Sequence, residues 1–233
     1  MDHSLPYNSI LQIQMETIFL YLLAYLLGSL PTSYLAARWS KGIDLRKYGS
    51  GTVSGSMLFE HTHRWLIVPV GIVDVLKGAL PAWLAIQLGL GQPTSVAAGM
   101  CAVIGHNWPI YLRFTGGRGI SPFLGVMLVL FPWGDLWLLG FLAIGFLLGD
   151  SAPWTLVSLT TLPLLIFYLE GSQVLYWMVG IMIAITLIKR LEANRRPLPP
   201  PGRERQKVIW LRLAFDRDIP DHKEWIHRKI LAD

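Results

Sequence analysis

The run Gly105-His106-Asn107-Trp108-Pro109-Ile110-Tyr111-Leu112-Arg113-Phe114-Thr115-Gly116-Gly117-Arg118-Gly119 places a histidine and an amide ahead of an arginine set among three glycines. Glycines let backbone N–H groups converge on an anion, and an arginine adds charge and a planar fork of donors. That chemistry suits a phosphate. A second loop, Arg46-Lys47-Tyr48-Gly49-Ser50-Gly51-Thr52-Val53-Ser54-Gly55-Ser56, repeats it with two cations, three glycines and three serines. The candidate substrate ligands are therefore Arg46, Ser50, Gly51, Asn107, Gly116, Gly117 and Gly119, with Arg118 as the principal charge. His106 is a candidate acid/base because an unperturbed imidazole titrates at about 6.5; the alternative is a histidine that caps a helix by hydrogen bonding.

Asp74 and Lys77 stand in the middle of the apolar run Trp65–Leu88. Their i,i+3 spacing puts them on one helix face, where they neutralise each other. Charges inside a membrane are costly and face a bundle interior or a functional cavity. The pair is read either as a structural ion pair or as a lysine reaching a substrate phosphate with Asp74 holding it. On the second reading Lys77 joins Arg118 and His106 as catalytic, and Asp74 joins the substrate site. His61 and His63 flank Thr62 beside Glu60, but no further Cys or His completes a metal site. They are assigned to a solvated loop, and no metal or other cofactor is expected. No Gly-x-Ser-x-Gly elbow offers a nucleophile for an acyl-enzyme.

These residues need a membrane scaffold. Of 233 residues 53% are hydrophobic and 15% charged, against about 25% charged in soluble domains. Apolar spans fall at 17–37, 65–88, 94–112, 119–132, 135–149, 153–170 and 173–191. About twenty residues cross a bilayer, so the fourth and fifth are short. Lysine and arginine cluster at Arg38–Arg64, at Arg113–Arg118 and from Lys189 onward, with Lys77 alone elsewhere. Seven spans with the N-terminus outside place all three clusters on the cytoplasmic side, as the positive-inside rule requires. A five-span reading, with the fourth and fifth as one broken hairpin, keeps the same C-terminal side. The expected fold is all-α: a polytopic membrane protein of about seven transmembrane helices, with the C-terminus cytoplasmic. The first span, lacking a basic n-region and a cleavage site, reads as an uncleaved anchor. Cys101 lies alone in an apolar run and implies no disulfide framework.

Residues 1–191 form the expected membrane domain and 192–233 a spacer and basic tail. Pro197-Leu198-Pro199-Pro200-Pro201-Gly202 is a stiff, polyproline-like stretch. Beyond it, charges interleave with Val208, Ile209, Trp210, Leu211, Leu213, Phe215, Trp225 and Ile226. Such a segment either lies on the anionic inner leaflet or stays solvated and poorly ordered.

From about Leu27 to Leu191 the chain resembles the bacterial acyl-phosphate:glycerol-3-phosphate acyltransferase family, often called PlsY. The resemblance runs in order through Gly28-Ser29-Leu30-Pro31 with Ser33-Tyr34, Lys41-Gly42-Ile43-Asp44-Leu45-Arg46 with Gly49-Ser50-Gly51, Asp74-Val75-Leu76-Lys77-Gly78, Gly105-His106-Asn107-Trp108-Pro109, and Gly116-Gly117-Arg118-Gly119. It implies a seven-span enzyme of the bacterial inner (plasma) membrane with its motifs on the cytoplasmic side. It implies transfer of an acyl group from acyl phosphate to the sn-1 hydroxyl of glycerol 3-phosphate. The products are lysophosphatidate and phosphate, with no metal and no coenzyme. The partners are then these two substrates and membrane lipids, with no nucleic acid.

Three departures are visible. The first motif of the family continues Gly-Ser-Gly-Asn-x-Gly-Ala-Thr-Asn, followed three residues on by arginine; here Thr52, Ser54, Gly55, Ser56 and Met57 follow, with Glu60 at the arginine position. The second motif carries lysine where this chain has Arg118. The third, a His/Asn-bearing run entering Ile-x-Arg-Leu, has become Ala184-Ile185-Thr186-Leu187-Ile188-Lys189-Arg190-Leu191. Beside acyl transfer, a catalytically impaired homologue that binds acyl phosphate or an anionic lipid therefore stays open. A transporter would call for symmetric broken helices in two halves, and no internal repeat is apparent.

Overall fold

The structure is a computed structural model that describes residues 7–228, and within these every regular element is helical. The long elements are α1 (Tyr7–Gly28), α4 (Ile67–Gln87), α5 (Gly91–Asn107), α6 (Ile120–Leu130), α7 (Pro132–Leu147), α8 (Ser151–Tyr168) and α9 (Gln173–Glu192). Two short helices, α2 (Thr32–Lys41) and α3 (Gly55–His61), lie between α1 and α4, and α10 (Arg203–Phe215) and α11 (His222–His227) follow α9. Among the described residues, the segments Leu11–Lys41, Arg64–Gln87, Ser151–Tyr168 and Gln173–Arg195 are long and apolar enough to cross a membrane, while Ile120–Leu130 and Pro132–Leu147 are shorter apolar helices. The helical membrane architecture expected from the sequence is present.

The first span differs from its expected bounds of 17–37. Its helix begins ten residues earlier, at Tyr7, and breaks at Ser29–Pro31, since proline lacks the N–H that would continue the ladder. The break leaves the Leu30 carbonyl free of the helix, a detail that the site exploits.

Lipid tails are as apolar as leucine, so helices in a membrane associate by close packing of small residues. A Cβ built on Gly78 of α4 would lie 1.8 Å from the Pro122 carbonyl oxygen, and one on Gly125 of α6 would lie 1.9 Å from that of Val75. The α1–α5 contact is similar: a Cβ on Gly105 would meet the Tyr25 carbonyl oxygen at 2.2 Å. These crossings bring α4, α5 and α6 round a core that includes Met100, Val103, Phe123, Val126 and Met127, continued by Leu159, Leu162 and Met178 from α8 and α9.

One end of the bundle gathers both glycine loops, the α7–α8 turn and the C-terminus of α9. The opposite end joins the α4–α5 and α8–α9 turns, where the Ser172 hydroxyl donates to Gln92 Oε1 at 2.8 Å. The described part of the tail, up to Arg228, folds back on the glycine-loop end. Trp225 and Ile226 are buried in a small second core with Leu45, Val53, Met57 and Leu58, so apolar contact with the loops, in addition to any lipid, covers them. His61 is likewise half-covered within α3 instead of solvated: its Nε2 lies 3.0 Å from the Ile226 carbonyl oxygen.

Candidate active site

The two glycine loops meet directly. The Val53 N–H donates to the Gly116 carbonyl at 3.2 Å. Asn194 straps both, with Nδ2 donating to the Gly51 carbonyl at 2.9 Å and to that of Gly116 at 3.3 Å. Asn194 reaches them because Ala193, Asn194 and Arg195 all take positive φ (44°, 52° and 67°), which ends α9 and turns the chain across the loops. Non-glycine residues adopt this region rarely, and a run of three marks a backbone held there by its contacts. Arg196 adds a hydrogen bond to the Gly49 carbonyl at 2.5 Å.

Within the second loop the glycines are needed for close approach. A Cβ on Gly116 would lie 2.3 Å from the His106 carbonyl oxygen, and one on Gly117 would lie 2.2 Å from His106 Nε2. The Gly117 N–H donates to that same carbonyl at 3.1 Å. Gly119, at φ 76°, turns the chain into α6 against the Asn107 side chain. Asn107 is wholly buried, and neither of its amide atoms has a hydrogen-bond partner among the described residues. A buried amide of this kind is a standing acceptor and donor for something brought to it. In the first loop, Ser50, Thr52, Ser54 and Ser56 form a file of hydroxyls at successive separations of 2.5, 3.0 and 3.0 Å. Ser50 is buried at one end and Ser56 exposed at the other, and Ser54 also faces the Met57 N–H at the start of α3.

The Asp74–Lys77 pair is closed on itself. Lys77 Nζ donates to Asp74 Oδ1 at 2.6 Å, to the Leu30 carbonyl at 2.5 Å and to Thr32 Oγ1 at 2.9 Å. The Thr32 hydroxyl in turn donates to Asp74 Oδ1 at 2.6 Å. An ammonium has three N–H donors, and each has a protein acceptor. The pair thereby pins the broken end of α1 and the start of α2 to α4. His106 Nδ1 lies 3.7 Å from Asp74 Oδ1. His106 also lines a small cleft with Ser29, Thr32, Ser33, Pro109 and Gly116.

Arg118 lies where α9 meets the tail. Its Nε donates to Asp216 Oδ2 and one Nη to the Lys189 carbonyl, both at 2.8 Å. Lys189 is fully buried over the Trp108 ring, sharing Glu192 with the indole N–H. Arg46 faces another way. It grips Asp44 through Nε and Nη and stacks on Tyr34. Burial acts to raise the Asp44 carboxyl pKa, but the hydrogen bonds and charge of Arg46 outweigh it and hold it below 3.8.

Of the residues singled out from the sequence, Ser50, Gly51, Asn107, Gly116, Gly117 and Gly119 lie in the joined loops, with His106 and Arg118 beside them. Lys77 and Asp74 sit one layer deeper under His106, and Arg46 is held apart by Asp44. Sequence reasoning missed Thr32, Asn194, Glu192 and Asp216. Only Asn194 carried a signal, as an amide just beyond the last apolar span.

The family model of glycerol-3-phosphate acyltransferase matches residues 18–198. Glycerol-3-phosphate acyltransferase 4 of Dehalococcoides mccartyi (strain CBDB1) is 35% identical over 227 residues, covering 94% of this chain and 97% of the relative. That span takes in most of the tail. The glycerol-3-phosphate acyltransferase of Synechococcus sp. (strain CC9902) is 34% identical over 186 residues, 77% of this chain and 90% of its own. Among solved structures, the crystal structure of PlsY (YgiH), an integral membrane glycerol 3-phosphate acyltransferase, in its glycerol 3-phosphate form superposes with a TM-score of 0.69. The identity is 28%, over 78% of this chain and 91% of that one. Its lysophosphatidic acid form gives 0.67 at 27% identity. Both glycine loops and the Asp74–Lys77 pair fall inside the matched span, and the chain belongs to the glycerol-3-phosphate acyltransferase family.

Proposed function

We propose that this membrane glycerol-3-phosphate acyltransferase uses acyl phosphate as donor and works at the cytoplasmic face of a bacterial inner membrane. The observation that carries this reading is the direct bonding of two basic glycine loops at one end of an apolar bundle. Two anionic groups then meet beside a lipid-exposed wall that accommodates an acyl chain. Acyl phosphate is a mixed anhydride, already activated, which suits a site without an enzyme nucleophile.

In this mechanism Arg118 and the backbone N–H groups of Gly116 and Gly119 hold a phosphate, with Ser50 and Asn107 as further ligands, while Gly117 and Gly51, whose N–H groups are taken by the His106 and Tyr48 carbonyls, shape the two loops round it. His106, oriented by Asp74, takes the proton from the sn-1 hydroxyl as its oxygen attacks the acyl carbonyl. The tetrahedral centre collapses with loss of phosphate, leaving lysophosphatidate. Lys77, its donors all engaged by protein, acts by holding Asp74 and the Leu30–Thr32 corner in place. Arg46, neutralised by Asp44 and stacked on Tyr34, braces the lead into the first loop. Positioning and charge stabilisation carry the rate.

We further propose seven crossings by α1 and α4–α9, with the N-terminus outside. Residues 1–191 form the membrane domain and 192–233 a cytoplasmic tail. The three basic clusters support this orientation. The test of function is purified protein in bilayers given acyl phosphate and labelled glycerol 3-phosphate. Stoichiometric lysophosphatidate and phosphate are expected; binding without turnover would instead make the protein a non-catalytic homologue. A reporter fused after Asp233 should be cytoplasmic, and an external signal would overturn the topology.

A further inference from the structure

We infer that Asp216, supplied by the C-terminal tail, is a positioning residue for acyl transfer that fixes the Arg118 guanidinium at the glycine loops. The inference rests on the reading of Arg118 as a phosphate ligand. The geometry suits a support more than a plug. A guanidinium has five N–H donors. Asp216 takes the one on Nε and the Lys189 carbonyl takes one on Nη. The other three all lie on the Nη end of the fork, and the Arg118 side chain remains 16% exposed. An anion can bind there without displacing the carboxylate.

Arg118 needs such a support. Gly117 and Gly119 on either side offer no side chain against which its long stem could rest. Arginine also differs from the lysine of the resembling motif in that it binds directionally, so the plane of its fork matters. Orientation has to come from another part of the chain, and Asp216 lies 98 residues away.

The backbone that carries this carboxylate is held firmly. Asp216 ends α10 in the left-handed region at φ 56°, which aspartate tolerates better than most residues. Arg190, buried within α9, donates to the carbonyls of Leu213 and Ala214 just before it and to that of Ala152. Arg212 donates to the Leu191, Arg196 and Pro197 carbonyls, tying α10 to the end of α9. Arg217 pairs with Asp150 in the α7–α8 turn. Lifting the tail would break the hydrogen bonds that Arg190 and Arg212, 3% and 2% exposed as the tail lies, make across the α9–α10 contact. The tail is therefore a fixture of the site and not a lid that closes over it.

The experiment is a double-mutant cycle on the full chain in bilayers, read as kcat/KM for acyl transfer together with the thermal midpoint. Asp216→Ala should lower kcat/KM by about 10- to 100-fold, the cost of a slightly misplaced catalytic group. In an Arg118→Lys background, where no Nε–H remains to be held, the same change should cost less than about threefold, the margin within which independent sites add. Equal losses in both backgrounds would make Asp216 merely structural, and a rise in turnover would make it a competitor of substrate; either overturns the inference. If Asp216→Ala does not fold, Asp216→Asn, which keeps the shape and an acceptor oxygen but not the charge, answers the same question with a smaller loss. Arg118→Ala run alongside separates the two levels. If it leaves transfer unchanged, the phosphate reading of Arg118 fails. If it abolishes transfer while Asp216→Ala has no effect, only the positioning role falls.

Discussion

Two pairs of opposite charge, Asp74–Lys77 and Arg118–Asp216, use the same kinds of group in different ways. Lys77 is 1% exposed and all three of its donors end on protein acceptors, among them a carbonyl released by the break after α1. Arg118 is partly exposed, and protein acceptors take two of its donors. A saturated cation is a joint, whereas one with donors to spare is available to a ligand. Type and spacing do not separate the two cases, because both read as a cation near glycines in an apolar setting.

The comparison breaks most severely at Lys77. Lys77→Met should destabilise the bundle by about 3–5 kcal/mol, since it strands a buried carboxylate. Asp74→Leu in the same chain should restore most of that loss, as seen by thermal unfolding in detergent. If the single variant keeps its midpoint and loses only turnover, Lys77 is a substrate ligand and the contrast collapses. Arg118→Ala should do the reverse, with kcat down about 10²–10³-fold, the scale for losing one charge-stabilising donor, and the unfolding midpoint little changed. A smaller effect is expected at the strap between the loops. Asn194→Gly permits the same backbone turn but removes two hydrogen bonds, costing about 1 kcal/mol in stability and raising KM more than it lowers kcat. A pure kcat effect would argue against a positioning role for the strap.

Smallest is the Asp44–Arg46 pair. Arg46 is a third exposed, so Arg46→Ala should cost under about 1 kcal/mol. The Asp44 pKa is lowered in the folded protein from 3.8. Its contribution is therefore present above that value and is lost as pH falls through the lower folded value. The difference in stability between the parent and Arg46→Ala should be visible at about pH 6 and fade towards pH 3. A difference that grows on acidification would contradict the pairing.

Much of the site is legible in the sequence. Gly116, Gly117 and Arg118 stand out because anion binding by backbone needs glycine and a cation in short order, which is local information. The i,i+3 relation of Asp74 and Lys77 is local too. What the spacing left open was whether Lys77 points at substrate or at Leu30 and Thr32, because that depends on where α1 breaks relative to α4. The tail was the least legible part. Its mixed charged and apolar residues fit a membrane surface as well as they fit the groove beside Leu45 and Met57, and only the groove distinguishes them.

The sequence alone determined a helical membrane bundle, the two glycine loops and the family resemblance, since bilayer thickness, backbone satisfaction and the chemistry of anion binding act over short stretches of chain. The tertiary structure decided which cation is saturated and which keeps donors free, how Asn194 straps the loops, and that the tail carries Asp216 to Arg118. These outcomes depend on partners dozens of residues apart, whose meeting is set by packing and hydrogen bonding between elements and is written in no single segment.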